Sequence, residues 1–167
     1  MELVVTGKVI KMGDDVNTDV IIPAKYLMYM EAKDLQTVAF QPLGEDFRNQ
    51  MKQSQIIVAG RAFGCGSSRE QGASAVKSMG IRAVVAKSFG RIFYRNAINI
   101  GLLVVEQREI TDAVNNGDEL SIDVAKGVIT AKGKQYSFPP LPQAAAEILQ
   151  AGGMLEYLKK QIAAGKI

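Results

Sequence analysis

Histidine is absent from this chain of 167 residues, and cysteine occurs once. The first absence removes the commonest general base and metal ligand, and with them any Ser-His or Cys-His dyad built within the chain. Together the two absences exclude a normal zinc or iron–sulfur site made from this chain alone. A single cysteine cannot close an internal disulfide, which fits a reducing cytoplasm. No apolar run approaches the length of a membrane span, and the opening MELVVTGKVIKMGDD has no signal-peptide pattern. Charge of one sign is also scarce. The net charge is +3 with Lys and Arg scattered, whereas a nucleic-acid surface needs a concentrated basic face. Demanding chemistry is therefore left to hydroxyls, carboxylates and arginine, or to groups borrowed from a partner.

What is present reads as one globular domain over residues 1–167, with a C-terminal helical segment from about residue 143. Residues 3–11 alternate as a strand, and 13–19 form a polar loop. The patterning predicts a short helix at 31–40, a buried strand at 55–60 and a helix over 68–80 stopped by Gly80. A strand at 81–87, a helix at 90–99 and a strand at 101–106 follow. Two β-runs, 119–125 and 127–138, carry turn-forming glycines at 127 and 133. Pro139, Pro140 and Pro142 then break the chain before the last helical stretch. With β-structure on both flanks, the order predicts a layered α/β fold rather than a pure doubly wound sheet.

The run GRAFGCGSSRE, residues 60–70, concentrates glycine between a buried strand and a helix. Ser67 with Glu70, and Ser68 with Gln71, both have capping-box spacing, so either serine could be the N-cap. Unpaired N–H groups and the helix dipole favour an anion there, and Arg69 could add a two-pronged carboxylate contact. An ordinary capped helix after a glycine turn would have the same pattern. The run lacks the Gly-Lys-Ser/Thr ending of a P-loop and the Gly-x-Ser-x-Gly order of a nucleophile elbow.

Other residues carry weaker signals. Cys65 stands at the electropositive helix entrance but, with no histidine to activate it, reads as a small loop residue. Asp14, Asp15, Asn17 and Asp19 lack the Gly and closing Glu of an EF-hand. They predict a turn, with Asp19 the best functional candidate because apolar VIIPA follows it. Arg91 and Arg95 either form a solvated helix face or orient an acidic substrate. The Tyr26-Leu27-Met28-Tyr29-Met30 run is either an exposed apolar loop or the edge of a buried strand or helix.

Read together, GDDVNTDVIIPAKYL, FGCGSSRE and AVVAKSFGRIFYRNAINIGLLVV resemble the small subunit of 3-isopropylmalate dehydratase, the swivel-domain chain of the aconitase superfamily. The resemblance runs from about residue 6 to about residue 125, in the same order and spacing. It implies a three-layer β/β/α swivelling domain. It also implies a [4Fe-4S] cluster held by three cysteines of a separate large subunit, with one iron open to substrate, so that this chain binds none and is inactive alone. By the same likeness Ser67 takes the general-base position, and Ser68 and Arg69 bind substrate carboxylate. Asp19 is the acidic residue supporting the site. The family motif commonly continues with histidine where this chain has Gln71.

The implied activity is that of a hydro-lyase of leucine biosynthesis, interconverting 2- and 3-isopropylmalate by dehydration and rehydration. Tyr26, Leu27 and Met28 fall where relatives place their specificity segment, and an apolar Met28 suits an isopropyl group better than a third carboxylate. The implied partners are the large subunit and a small dicarboxylate, in the cytoplasm, with no nucleic acid or membrane; self-association of the isolated chain stays open. A homoaconitase or dimethylmalate dehydratase small subunit is the alternative enzyme, and an anion-binding interaction module the alternative without catalysis.

Overall fold

A computed structural model describes residues 3–67 and 69–167. The order of elements is β1 (Val4–Lys11), α1 (Thr18–Ile21), α2 (Ala32–Val38), α3 (Glu45–Lys52), β2 (Ile56–Ala59), α4 (Glu70–Ser78), β3 (Ala83–Ala86) and α5 (Arg91–Asn99). The chain continues through β4 (Leu103–Glu106), α6 (Ile110–Ala113), β5 (Glu119–Asp123), β6 (Val128–Ala131), β7 (Lys134–Ser137), α7 (Gln143–Ala151) and α8 (Met154–Ala163).

The seven strands form one sheet in the order β4-β3-β2-β1-β5-β6-β7. From β1 to β4 the pairing is parallel, with Val9 opposite Ile56, Val58 opposite Val85 and Val84 opposite Val104. From β1 through β5 and β6 to β7 it is antiparallel, with Val5 opposite Ile122 and Ile129 opposite Tyr136. Side-chain pattern explains this division. IIVA and AVVA are buried at every position, as strands covered on both faces must be. ELSID buries alternate residues, as a strand with one wet face does. The sheet curls until Gln107, just after β4, donates from Nε2 to the Ser137 carbonyl at the end of β7. A curled sheet faced by helices is the layered α/β fold expected from the sequence.

Most elements fall where the patterning placed them, and the differences have local causes. The last helical stretch is two helices, because Gly152 and Gly153 both adopt positive φ between α7 and α8. The loop at 13–19 runs into α1, whose Asn17 side chain accepts from the Val20 N–H. The helix expected from residue 68 starts at Glu70, with Arg69 at the N-cap and no side-chain cap there. The Ser67 capping box does not form, because Ser67 is held outside the helix with its N–H bonded to Thr18; the Ser68 spacing falls on a residue outside the described ones. Helix α3 is absent from the patterning above. Its Arg48 guanidinium is buried and donates to the carbonyls of Gln36, Thr37 and Ala39. It thereby closes the C-terminal end of α2.

Parallel pairing positions the candidate site. Strands β1, β2 and β3 end on the same side of the sheet, so the loops after Lys11, Ala59 and Ala86 emerge together. Open α/β sheets gather their ligand-binding loops at this edge.

Candidate functional site

The loop after β2 is built on aromatic packing. Phe63 is fully buried and meets Phe93 edge-on at 5.3 Å between ring centroids, with Phe89 at 6.2 Å. The Ser88 hydroxyl accepts from the Ala62 N–H at 2.8 Å, and Phe63 N–H donates to the Ser88 carbonyl at 3.0 Å. The Ser-Phe pair of SFGRIF is thus the platform under the glycine run. Gly64 has φ +76°, and a Cβ there would lie 2.2 Å from the Phe93 ring. Only glycine lets the backbone lie this close to the platform.

The loop after β1 closes on it from the other side. Gly64 N–H donates to the Val16 carbonyl at 2.7 Å, and Thr18 N–H to the Cys65 carbonyl at 2.9 Å. Thr18 is buried, and its Oγ1 accepts from the Ser67 N–H at 3.2 Å while lying 3.3 Å from Ser67 Oγ. Having accepted the amide proton, the Thr18 hydroxyl still has its own proton to donate to Ser67 Oγ. Gly66, at φ +109°, keeps this approach open, since a Cβ would stand 3.0 Å from Thr18 Oγ1.

Arg69, two residues after Ser67, pairs with Asp19 next to Thr18, Nη1 to Oδ1 at 2.8 Å. The Asp19 side chain is 70% exposed, and such a pair contributes roughly 0–1 kcal/mol. Asp19 therefore orients the guanidinium without locking it, and a substrate carboxylate can take the remaining donors or displace Asp19. Ser68 lies outside the described residues. Earlier in the same two loops, Asp14 accepts from the Arg61 N–H at 2.7 Å and from its guanidinium at 3.2 Å. Those hydrogen bonds hold the Asp14 carboxyl below its usual value of 3.8.

Tyr26, Leu27 and Met28 lie on a surface arch in which Tyr26 and Leu27 are half-buried, Tyr26 and Tyr29 pack against the core, and Met28 is exposed. A short 3₁₀ turn, Ala24–Tyr26, is followed by a bend in which Tyr29 N–H donates to the Tyr26 carbonyl. The two tyrosines stack at 5.6 Å, and Tyr26 Oη donates to Gln41 Oε1 at 2.8 Å. Met28 is 78% exposed and Met30 68%. Cys65 is half-buried and serves through its backbone. Arg91 and Arg95 instead line a separate cavity of about 440 Å³, with Tyr94, Glu106, Phe138 and Pro140. Neither Ser67, Arg69 nor Asp19 lines it.

The sequence singled out Ser67, Arg69 and Asp19, which the fold brings together; it marked Gln71 only as a cap partner and a departure from the family motif, and passed over Thr18. Thr18 stood in plain view beside Asp19, but a lone threonine gives no sign of which backbone it will face. Among the described residues there is no group of three or more His, Cys, Asp or Glu able to hold a metal, and no helix long and apolar enough to cross a membrane.

Strand-end loops presenting a serine and an arginine on a curled mixed sheet define a class. The model of the aconitase C-terminal domain matches residues 14–110. The 3-isopropylmalate dehydratase small subunit of Caldanaerobacter subterraneus subsp. tengcongensis is 45% identical, over 93% of this chain and 98% of the relative. The 3-isopropylmalate dehydratase small subunit 1 of Archaeoglobus fulgidus is 50% identical, over 92% and 96%. A crystal structure of 3-isopropylmalate dehydratase (leuD) from Methanocaldococcus jannaschii superposes with a TM-score of 0.89 at 43% identity, covering 98% of both chains. The chain belongs to the 3-isopropylmalate dehydratase small-subunit family, within the aconitase superfamily.

Proposed function

We propose that this chain is the small subunit of a 3-isopropylmalate dehydratase, a hydro-lyase of leucine biosynthesis. Its Ser67 loop would supply the base and the carboxylate contact. The observation that carries the assignment is the placement of Thr18 Oγ1 within reach of both the Ser67 N–H and Ser67 Oγ, beside Arg69.

A serine hydroxyl is far too weak an acid to be ionised in water at neutral pH. Here a donated bond from Thr18 and the positive charge of Arg69 both favour an oxyanion on Ser67. They act strongly only where water is excluded. Ser67 is exposed in this chain, so a second chain has to close the site. The exposed Met28 and Met30 side chains, on the arch bonded to Gln71, fit a surface that is covered in the working assembly.

The donor set here does not fit an iron–sulfur cluster: there is one cysteine and no histidine. The cluster of such an enzyme is accordingly assigned to the large subunit, as is departure of the substrate hydroxyl. This chain's part is narrower. Arg69 and Ser68 hold a substrate carboxylate, Asp19 orients Arg69, and Ser67 takes the proton from the neighbouring carbon. The elements of water then leave and return one carbon along. The Tyr26–Met28 arch recognises the variable end of the substrate. Its apolar character favours an isopropyl group over the extra carboxylate of a homoaconitase substrate, while a dimethylmalate remains compatible. The low cysteine content suits a cytoplasmic setting.

The test is reconstitution with a cluster-loaded large subunit, following the absorbance of the unsaturated intermediate. Ser67→Ala should abolish turnover and leave substrate binding largely intact, because the lost role belongs to the transition state. Near-normal kcat would show that Ser67 is not the base. A wild-type mixture with no dehydratase activity would favour the non-catalytic, anion-binding reading.

A further inference from the structure

The arch that carries Met28 is pinned at two places. At one end Tyr26 Oη is bonded to Gln41. At the other, the Gln71 side-chain amide nitrogen lies 3.1 Å from the Leu27 carbonyl and 3.3 Å from Met30 Sδ. A primary amide nitrogen carries two hydrogens, and both are spent on the arch. Gln71 stands in the first turn of α4, and Arg69 is the N-cap of that helix. One short rigid unit therefore carries both the carboxylate-binding arginine and the clamp on the segment that presents Met28.

We infer that Gln71 is a positioning residue that sets the distance between the Tyr26–Met28 arch and the Ser67–Arg69 loop, and so determines how tightly the apolar end of the substrate is held. This rests on the proposed role of the arch in substrate recognition. The physical basis is chain entropy. A surface bend released from its ties samples more conformations, and that freedom must be lost when substrate binds. Core packing of Tyr26 and Tyr29 and the Gln41 bond restrain one side of the bend, and Gln71 restrains the Leu27–Met30 side in advance. The backbone that presents Met28 is then held in place, although the Met28 side chain itself is largely exposed.

Gln71→Glu keeps the shape of the side chain but turns an acceptor toward the Leu27 carbonyl. Gln71→Met keeps its length and apolar stem but has no donor. Glutamine, glutamate and methionine have nearly equal helix propensities, so α4 itself is left intact. Hydrogen exchange and steady-state kinetics are measured on the reconstituted two-subunit enzyme, with 3-isopropylmalate and with a homoaconitate-type tricarboxylate. Amide exchange across Leu27–Met30 should quicken about tenfold in both variants, while the rest of α4 keeps its protection. KM for 3-isopropylmalate should rise about tenfold with kcat within about twofold, as expected for lost uniform binding.

Unchanged exchange in the arch would overturn the inference. So would a fall in kcat with KM unmoved, since that places Gln71 in the chemical step. Faster exchange with an unmoved KM would also refute it, and Met28→Ala then shows which idea has failed. If Met28→Ala raises KM, the arch does recognise substrate and only the positioning role of Gln71 is wrong. If Met28→Ala leaves KM alone as well, recognition by the arch is wrong.

Discussion

Thr18→Val is the most informative single substitution at the site. Valine replaces the hydroxyl by a methyl of similar size, and residue 18 is only 2% exposed, so the packing survives while two polar contacts vanish. One is the acceptor for the Ser67 N–H at 3.2 Å, the other the hydroxyl pair with Ser67 Oγ at 3.3 Å. Both lie at the long end of hydrogen-bond geometry, so each contributes about 1 kcal/mol. The lost amide contact should lower folding stability by about 1 kcal/mol, read as a small shift of the urea midpoint with unchanged slope. With Ser67 as the proposed base, the hydroxyl pair should matter more in the transition state, where Ser67 Oγ would carry negative charge. A charge-assisted bond contributes about 1.5–3 kcal/mol, so kcat should fall roughly 10- to 150-fold in the reconstituted enzyme. KM should barely move, because Arg69 and the arch are untouched. Thr18→Ser, which keeps the hydroxyl, should recover most of the rate. If Thr18→Val retained wild-type kcat while folding normally, the hydroxyl network would have no part in activating Ser67, and the alkoxide argument would collapse.

Three further outcomes are expected. Arg69→Lys should raise KM about tenfold, because an ammonium cannot hold Asp19 and a substrate carboxylate in one plane; an unchanged KM would remove Arg69 from substrate binding. Arg48→Ala strips the carbonyls of Gln36, Thr37 and Ala39 of their buried donor and should cost about 2–4 kcal/mol by urea denaturation, whereas a loss under about 1 kcal/mol would make that cap dispensable. Asp14 and Asp118 both titrate below 3.8 when folded, Asp14 through Arg61 and Asp118 through the Asn115 N–H and Lys132. A carboxyl depressed by folding adds stability above its unfolded value and loses it as pH falls through the folded one. With no histidine to titrate, the urea midpoint should therefore stay flat from about pH 8 to about pH 5 and drop only on the acid side of 3.8, so a fall between about pH 7 and 5.5 would contradict this assignment.

The strands and main helices were legible because their patterning is strong and local. IIVA and AVVA can only be covered strands, and Gly80 ends α4 at φ +88° as its position suggested. Helix α3 escaped notice because its reason is not local: Arg48 is buried only because the end of α2 needs a donor. The serine loop misled for a similar cause. Ser67 has an ideal capping spacing, yet its amide was already committed to Thr18, nearly fifty positions away in sequence. Local propensity yielded to a tertiary hydrogen bond.

The amino-acid sequence alone determined what this chain has to work with: hydroxyls, carboxylates and arginine, one cysteine, no histidine, and a glycine-rich run between a strand and a helix. Residue type is enough to set that, since each side chain carries its chemistry wherever it is placed. Which groups meet was decided only in three dimensions. Parallel pairing of β1, β2 and β3 put their C-terminal loops on one edge, so that Thr18 reached Ser67 and Asp19 reached Arg69. The same packing of α4 against α2 and α1 carried Gln71 under the Leu27 carbonyl. Contacts between residues forty or fifty positions apart depend on sheet register and helix packing, and no local pattern encodes either.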